Sequence, residues 1–290
     1  MKRSLFFIAI FTLLLSAIGC GKKKEEKKPQ PKKAVTQVVK DTVPSLKENL
    51  EKLTATIKAD SAECPINMGI FGDLIDVKFD ERERLVSIYF SLNGDIFSLD
   101  RFRESKEKAY GLARILLGQD KTDQLTLQMI DVGASLIITF RNSINSDSFK
   151  MKVTHQKLME LEAYSLSEED INKFILENFI ALEDADCPHL IKEGIEMVSA
   201  TDEEKNVVYL YHVDDSKFDM NSLKETADDM KKETEVMLSD PASRKMLEIL
   251  KALDKGIIYR YLAINSGQSV DITFTPAEIG DMLSRLQQSD

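Results

Sequence analysis

Two hydrophobic periods alternate along the chain from residue 44 onward. Leu46, Leu50, Leu53 and Ile57 recur at helical spacing after Pro44-Ser45 and predict a helix. Cys64-Pro65 ends it, because proline disfavours helical geometry in the residue before it. Ile75, Val77 and Phe79 then alternate, and an acidic turn at Asp80–Arg84 leads into Leu85-Val86-Ser87-Ile88-Tyr89, which predicts a hairpin. Phe102, Ala109, Leu112 and Leu116 fall on one helical face, and Leu125, Met129 and Val132 on a second. A turn at Asn145-Ser146-Asp147 and the strand Ser148–Thr154 indicate a second hairpin.

The same pattern then recurs. Glu63-Cys64-Pro65 returns as Asp186-Cys187-Pro188, and Asp80-Glu81 before Leu85–Tyr89 returns as Asp202-Glu203 before Val207–Tyr211. Leu116-Leu117 is answered by Met237-Leu238, and Ser148–Thr154 by Ser269–Thr275, at an offset that stays near 121–123. The second copy opens on Ser165-Leu166-Ser167-Glu168-Glu169-Asp170, rich in capping and first-turn acidic residues, and its helix carries Ile171, Phe174, Ile175, Phe179 and Leu182. Leu223, Ala227, Met230, Thr234 and Met237 define one helical face, Asp240-Pro241 breaks it, and Met246, Leu250 and Leu253 define the next. Lys255-Gly256 stops that helix ahead of the strand Ile257–Tyr261. The fold class expected is α+β: two tandem copies, at 43–162 and 163–290, of a helix, a hairpin, two helices and a hairpin, with antiparallel sheet and a short closing helix.

The first 42 residues read differently. Lys2 and Arg3 precede an apolar run from Leu5 to Leu15 of about ten residues, too short to span a bilayer but suited to a signal h-region. Ser16-Ala17-Ile18-Gly19-Cys20 resembles a lipobox, with Ala17 where leucine is usual. The expectation is a signal peptide at 1–19 and a lipidated Cys20 bearing palmitate-type acyl chains. Gly21, not an aspartate, follows the anchor, which favours an outer-membrane address over retention at the inner membrane. Residues 20–42 form a lysine-rich tether without aromatic residues, expected to be disordered. It carries net about +5 and the signal +2, so with −10 overall the rest of the chain carries about −17. An acidic body without a basic stripe argues against nucleic-acid binding.

Candidate chemistry is sparse. Cys64 and Cys187 occupy equivalent positions and could form a disulfide in an oxidising compartment, closing a loop of roughly 120 residues with a stabilisation of roughly 4–5 kcal/mol; equally, each could pack as a small hydrophobe in its own copy. No Cys-x-x-Cys accompanies them, and His189 beside Cys187 has Ile66 as its first-copy counterpart. His155, His189 and His212 are far apart, with His212 placed where the first copy has Phe90. No zinc-protease helix, calcium loop, phosphate loop or serine elbow appears, so neither metal nor cofactor is expected. Asp214–Asp219 lacks the calcium-loop glycine and reads as a turn or helix start. Tyr209, Tyr211, Tyr259 and Tyr261 alternate on two strands and are either a binding face or cross-strand packing pairs. Their first-copy counterparts, at this level, are Ser87, Tyr89, Ile138 and Phe140.

Ala62-Glu63-Cys64-Pro65, Ala185-Asp186-Cys187-Pro188 and Val270-Asp271-Ile272-Thr273-Phe274-Thr275 resemble tandem domains of Bacteroidota cell-envelope lipoproteins without an agreed activity, and Lys24-Glu25-Glu26 resembles the Lys-plus-acidic tracts some of them carry after the cysteine. The resemblance implies address and fold and supplies no mechanism. The expected function is a non-catalytic, membrane-anchored lipoprotein that binds a protein partner or envelope component. The alternatives are a small-molecule carrier with a pocket in or between the copies and, more remotely, an enzyme whose groups assemble from distant positions.

Overall fold

The computed structural model of the protein describes residues 44–119, 122–163, 166–239 and 243–288. The signal peptide, Cys20, the tether, Ser165 and the Asp240-Pro241 break lie outside the described residues.

Each copy opens on an 18-residue helix set by a reciprocal cap. At α1 (Leu46–Glu63), Ser45 Oγ accepts from the Glu48 amide at 3.3 Å, while the Ser45 amide donates to Glu48 Oε2 at 2.6 Å. At α6 (Glu168–Ala185), Ser167 and Asp170 make the same exchange, both bonds at 3.1 Å. Two of the orphan first-turn donors are thereby satisfied in each helix. A cis peptide follows each helix, at Cys64-Pro65 and Cys187-Pro188.

The first copy continues through β1 (Ile66–Asn67), β2 (Gly72–Asp80), β3 (Leu85–Leu92), α2 (Leu99–Glu104), α3 (Lys106–Leu117), α4 (Asp123–Asp131), β4 (Ser135–Asn142), β5 (Ser148–Val153) and α5 (His155–Glu162). The second runs through β6 (His189–Lys192), β7 (Ile195–Asp202), β8 (Asn206–Val213), α7 (Met220–Glu225), α8 (Ala227–Leu238), α9 (Arg244–Ala252), β9 (Gly256–Ala263), β10 (Ser269–Phe274) and α10 (Pro276–Gln288). These are two tandem α+β domains.

The sheets are mostly antiparallel, as expected, with one parallel pair in each that makes them mixed. Their orders are β1-β2-β3-β4-β5 and β10-β9-β8-β7-β6. The hairpins are antiparallel, but they join through a parallel pair in each copy, Leu85 opposite Ser135 and Asn206 opposite Gly256. The helical segment between the hairpins carries the chain back to the end at which it entered, so it acts as the crossover that a parallel pair requires.

Among the described residues, that segment holds three α-helices per copy where the apolar spacing indicated two. Ser105 (φ −132°) is extended, ends α2 and caps α3 by accepting from the Lys108 amide at 3.3 Å. Thr226 (φ −93°) separates α7 from α8 without capping α8, its hydroxyl donating back to the Ser222 carbonyl at 3.0 Å, so Leu223 and Met237 lie on different helices. An apolar stripe that bridges a short break keeps its period, so the break is carried only by the serine or threonine between the helices.

One apolar cluster runs through both copies, with Leu53, Ile88, Phe90, Phe102, Leu112, Leu116, Ile138 and Phe140 fully or nearly fully buried in the first and Leu247, Ile249, Ile257, Phe274 and Ile279 in the second. A smaller cluster of Ile195, Val213, Met220, Ala263 and Val270 closes the far end of the second sheet.

Candidate functional site

The parallel register of β8 and β9 places Tyr209 opposite Tyr259 and Tyr211 opposite Tyr261. The rings stack across the strands, with centroids 5.3 Å apart in the first pair and 4.9 Å in the second, and Tyr211 leans on Tyr259 at 6.5 Å. The edge of Phe274 closes one end, 6.2 Å from Tyr259. The four tyrosines are therefore brought together as a continuous ladder of packing pairs.

The ladder's first-copy counterparts differ from those read off the sequence. In the first sheet the same registers pair Ile88 with Ile138 and Phe90 with Phe140, and an equivalent irregularity in the antiparallel pairing follows Leu74 opposite Phe90 and Met197 opposite Tyr211. Tyr209 and Tyr211 thus stand for Ile88 and Phe90, not Ser87 and Tyr89, and His212 stands for Ser91, not Phe90. The hairpin turn is shorter in the second copy (203–205 against 81–84), and a slip of one residue moves a strand position to the other face of the sheet. The ladder accordingly lies on the inner face of the sheet, toward the helices.

On that face the two copies part. Ile88, Phe90, Ile138 and Phe140 are at most 2 % exposed, whereas all four tyrosines are only half-buried. The helices differ in step. In the first copy α3 buries Ala109, Leu112, Ala113, Ile115, Leu116 and Leu117, but α8 buries no residue. Met237, expected on the inward face, is 66 % exposed, and Val236 is 74 % exposed. Instead α8 lies against β10 and α10, with Lys231 Nζ 5.3 Å above the Phe274 ring and 2.6 Å from Glu278, and Arg285 paired with Glu235.

The electrostatics of the ladder follow from burial. Desolvation raises the phenol pKa of all four tyrosines, with a smaller contribution from neighbouring phenols at Tyr209, Tyr211 and Tyr259. The Glu183 carboxyl near the end of α6 is raised by burial and then by Asp186. Cys64 and Cys187 are free, half-buried thiols, each raised by burial first and then by surrounding carboxylates; Cys187 Sγ donates to the Glu183 carbonyl at 3.5 Å. Neutral phenols and thiols make an aromatic, hydrogen-bonding surface and are poor nucleophiles near neutral pH.

The remaining candidates do not converge. His155 Nε2 lies 3.1 Å from the Ile130 carbonyl, His189 sits in edge strand β6 with Nδ1 buried and unpartnered, and His212 is opposite Glu196. No group of three or more His, Cys, Asp or Glu side chains that could hold a metal occurs among the described residues. Asp214 and Asp219 act as turn and helix caps, accepting from the Ser216 amide at 3.1 Å and the Asn221 amide at 3.0 Å. Asp215 ties the β9–β10 turn by accepting from the Asn265 and Ser266 amides at 3.0 and 2.9 Å, and hydrogen bonding from the Ser266 side chain, then from the Asn265 amide and side chain and the Ser266 amide, holds its carboxyl down to about 2.

The copies meet where α6 lies on α3. Gly111 leaves room for the Phe174 ring, which a β-carbon there would approach to 3.1 Å, and Arg101 Nη1 donates to the Glu177 carbonyl at 2.7 Å. Arg114 draws down the Asp170 pKa behind that group's bonds to Ser167. A cavity of about 190 Å³ remains between the copies, lined in part by Arg114, Ile115, Leu166 and Ile171, which is below the usual range for ligand sites, roughly 300–1,000 Å³. A wider, open depression between α1 and β2 has Lys58 and Lys78 on its walls.

No family model matches the chain, and a search of curated proteins found no match. Among solved structures, a Pseudomonas aeruginosa protein described as secreted is similar at TM-score 0.33 and 15% identity, over 40% of this chain and 99% of that one. The pilotin EpsS of the Vibrio vulnificus type 2 secretion system is similar at TM-score 0.28 and 13% identity, over 38% of this chain and 94% of that one. The chain is a two-domain α+β protein with weak structural similarity to secreted and pilotin-type proteins, and at these values the similarity carries no argument about activity or partner.

Proposed function

We propose that the chain is a lipid-anchored lipoprotein of the cell envelope, held on the outer membrane through Cys20, that binds a protein partner through its second copy without catalysing a reaction. The ordered run of positive charge, apolar segment, small residues and cysteine supports the anchor. The lysine-rich tether favours anionic headgroups, and the acidic body is repelled from them, so the domains stand off the membrane. The observation that carries the binding reading is the asymmetry between the copies. Positions sealed by Ile88, Phe90, Ile138 and Phe140 in the first hold a partly buried tyrosine ladder in the second, whose rings pack on the core and keep some surface accessible. Tyrosine suits such a surface, giving large contact area and a polar tip at low entropic cost.

The small-molecule carrier is the weaker reading, because the cavity between the copies is small and the larger depression between α1 and β2 is open to solvent. The test is crosslinking in intact cells, then purification through a C-terminal tag and mass spectrometry, with an unrelated tagged lipoprotein as control. One reproducible partner, lost when Tyr211 and Tyr261 are both changed to Ser, is expected. An abundant, folded chain that enriches nothing over the control would contradict the proposal.

A further inference from the structure

We infer that the outward face of α8 around Val236 and Met237 seats an amphipathic helix supplied by a partner protein, with an apolar stripe flanked by lysine or arginine. This rests on the reading that a protein partner exists, and it names the element that partner presents. The first copy shows what the equivalent face of its own helix accepts.

Between α3 and α8 the offset is 121, so Gly111, Arg114, Ile115 and Leu116 correspond to Lys232, Glu235, Val236 and Met237. In the first copy this surface is covered by a helix: α6 lies on α3 at Gly111, and Arg101 reaches the Glu177 carbonyl. Ile115 and Leu116 are 2 % and 0 % exposed, while Val236 and Met237 in the same places are 74 % and 66 % exposed. Two adjacent large apolar side chains this exposed, at a site that is sealed in its duplicate, mark a contact surface better than scattered exposed residues would.

The chemistry of the occupant follows from the substitutions. Asp170 in the first turn of α6 lies within the influence of Arg114, and the α8 counterpart of Arg114 is Glu235. In α8, Asp228, Asp229, Glu233 and Glu235 outnumber Lys231 and Lys232; ion pairs join Lys231 to Glu278 at 2.6 Å, Lys232 to Asp229 at 2.9 Å and Glu235 to Arg285, which leaves Asp228 and Glu233 as the acidic surplus of the helix. A helix that sits here therefore meets the negative surplus of Asp228 and Glu233, and complementarity calls for basic flanks. Lys232 in place of Gly111 also excludes the close approach that Phe174 makes, so the incoming helix rides higher and reaches Val236 and Met237 through its long apolar side chains.

A second copy of the chain fits less well. To repeat the internal stacking it would present α1, whose residues at the places of Phe174, Leu176 and Ile180 are Lys52, Thr54 and Lys58, all exposed. That face supplies charge but no apolar stripe.

The test places the photocrosslinker p-benzoylphenylalanine in the full-length chain in its own cells, in place of Met237 and, as a control, in place of Lys58. The expected result is an adduct from position 237 alone, mapping to one partner segment with apolar residues at helical spacing and lysine or arginine beside them. A synthetic peptide of that segment should gain helix signal on binding the purified chain, with affinity reduced about tenfold by Val236→Asp plus Met237→Asp. Both side chains are exposed, so unfolding curves of that variant should match the parent and separate lost binding from lost folding. An adduct to α1 of another copy, to an acidic segment or to an extended one would overturn the inference. If tag-based capture returns a partner but position 237 forms no adduct, the α8 site falls and the partner reading stands. If neither experiment returns a partner, both fall.

Discussion

Four tyrosines replace Ile88, Phe90, Ile138 and Phe140 on one face of the second sheet, and Glu183 stands in the same neighbourhood, adding to the phenols' shifts at Tyr209, Tyr211 and Tyr259. Glu183 has a consequence for stability. Burial raises its pKa above 4.5, so the folded chain holds that proton more tightly than the unfolded chain does. Stability then falls as pH rises from about 4.5 through the raised folded value, and the cost persists at neutral pH. Glu183→Gln is expected to raise the melting temperature at pH 7 and to flatten its decline from pH 4.5 upward; a lower melting temperature at pH 7 would show that the ionised carboxylate is stabilising. At Cys64 and Cys187 the expectation is two labelled thiols per denatured chain before reductant is added, and an increase on reduction would reveal a bridge. Which tyrosines alternate on a strand was legible in the sequence; which ring stacks on which was not, because that depends on the parallel pairing of β8 with β9. Their face was not, because assigning counterparts needs the hairpin turn length, and a one-residue difference there reverses inside and outside.

At the scale of elements, the contact between α3 and α6 depends on one missing side chain. Gly111 admits the Phe174 ring, and a bulky residue there must push the helices apart. Gly111→Leu is expected to destabilise by about 1–3 kcal/mol, read from denaturant unfolding, with the larger loss at the junction of the copies in hydrogen exchange. Unchanged stability would mean that α6 is not seated on α3. The helices, hairpins and duplication were readable from apolar period and from Ser45 and Ser167 ahead of acidic residues. The parallel pairs β3–β4 and β8–β9 were not, since local pattern identifies strands but not their neighbours. The divergence of α8 was carried by its composition: Lys232, Glu233 and Glu235 stand where α3 has Gly111, Leu112 and Arg114, so the helix keeps its length and loses the residues that would bury it.

At the scale of the whole molecule, the proposed function joins an acidic pair of domains to a basic tether and an acylated Cys20, an arrangement that would hold a bound partner at a distance from a membrane. No described helix is long and apolar enough to cross a bilayer, so membrane attachment in this account rests on Cys20 alone. Several acyl chains anchor far more firmly than one, each buried methylene adding about 0.8 kcal/mol. The most direct measurement is a side-by-side capture of the tagged parent and Cys20→Ser chains after crosslinking in intact cells, with membrane fractionation and fatty-acid labelling of the same samples. The account expects the parent to be labelled, membrane-bound and crosslinked to one reproducible partner, and the variant to lose label and membrane together. A variant that stays membrane-bound, or a parent that captures nothing beyond the control, would contradict it.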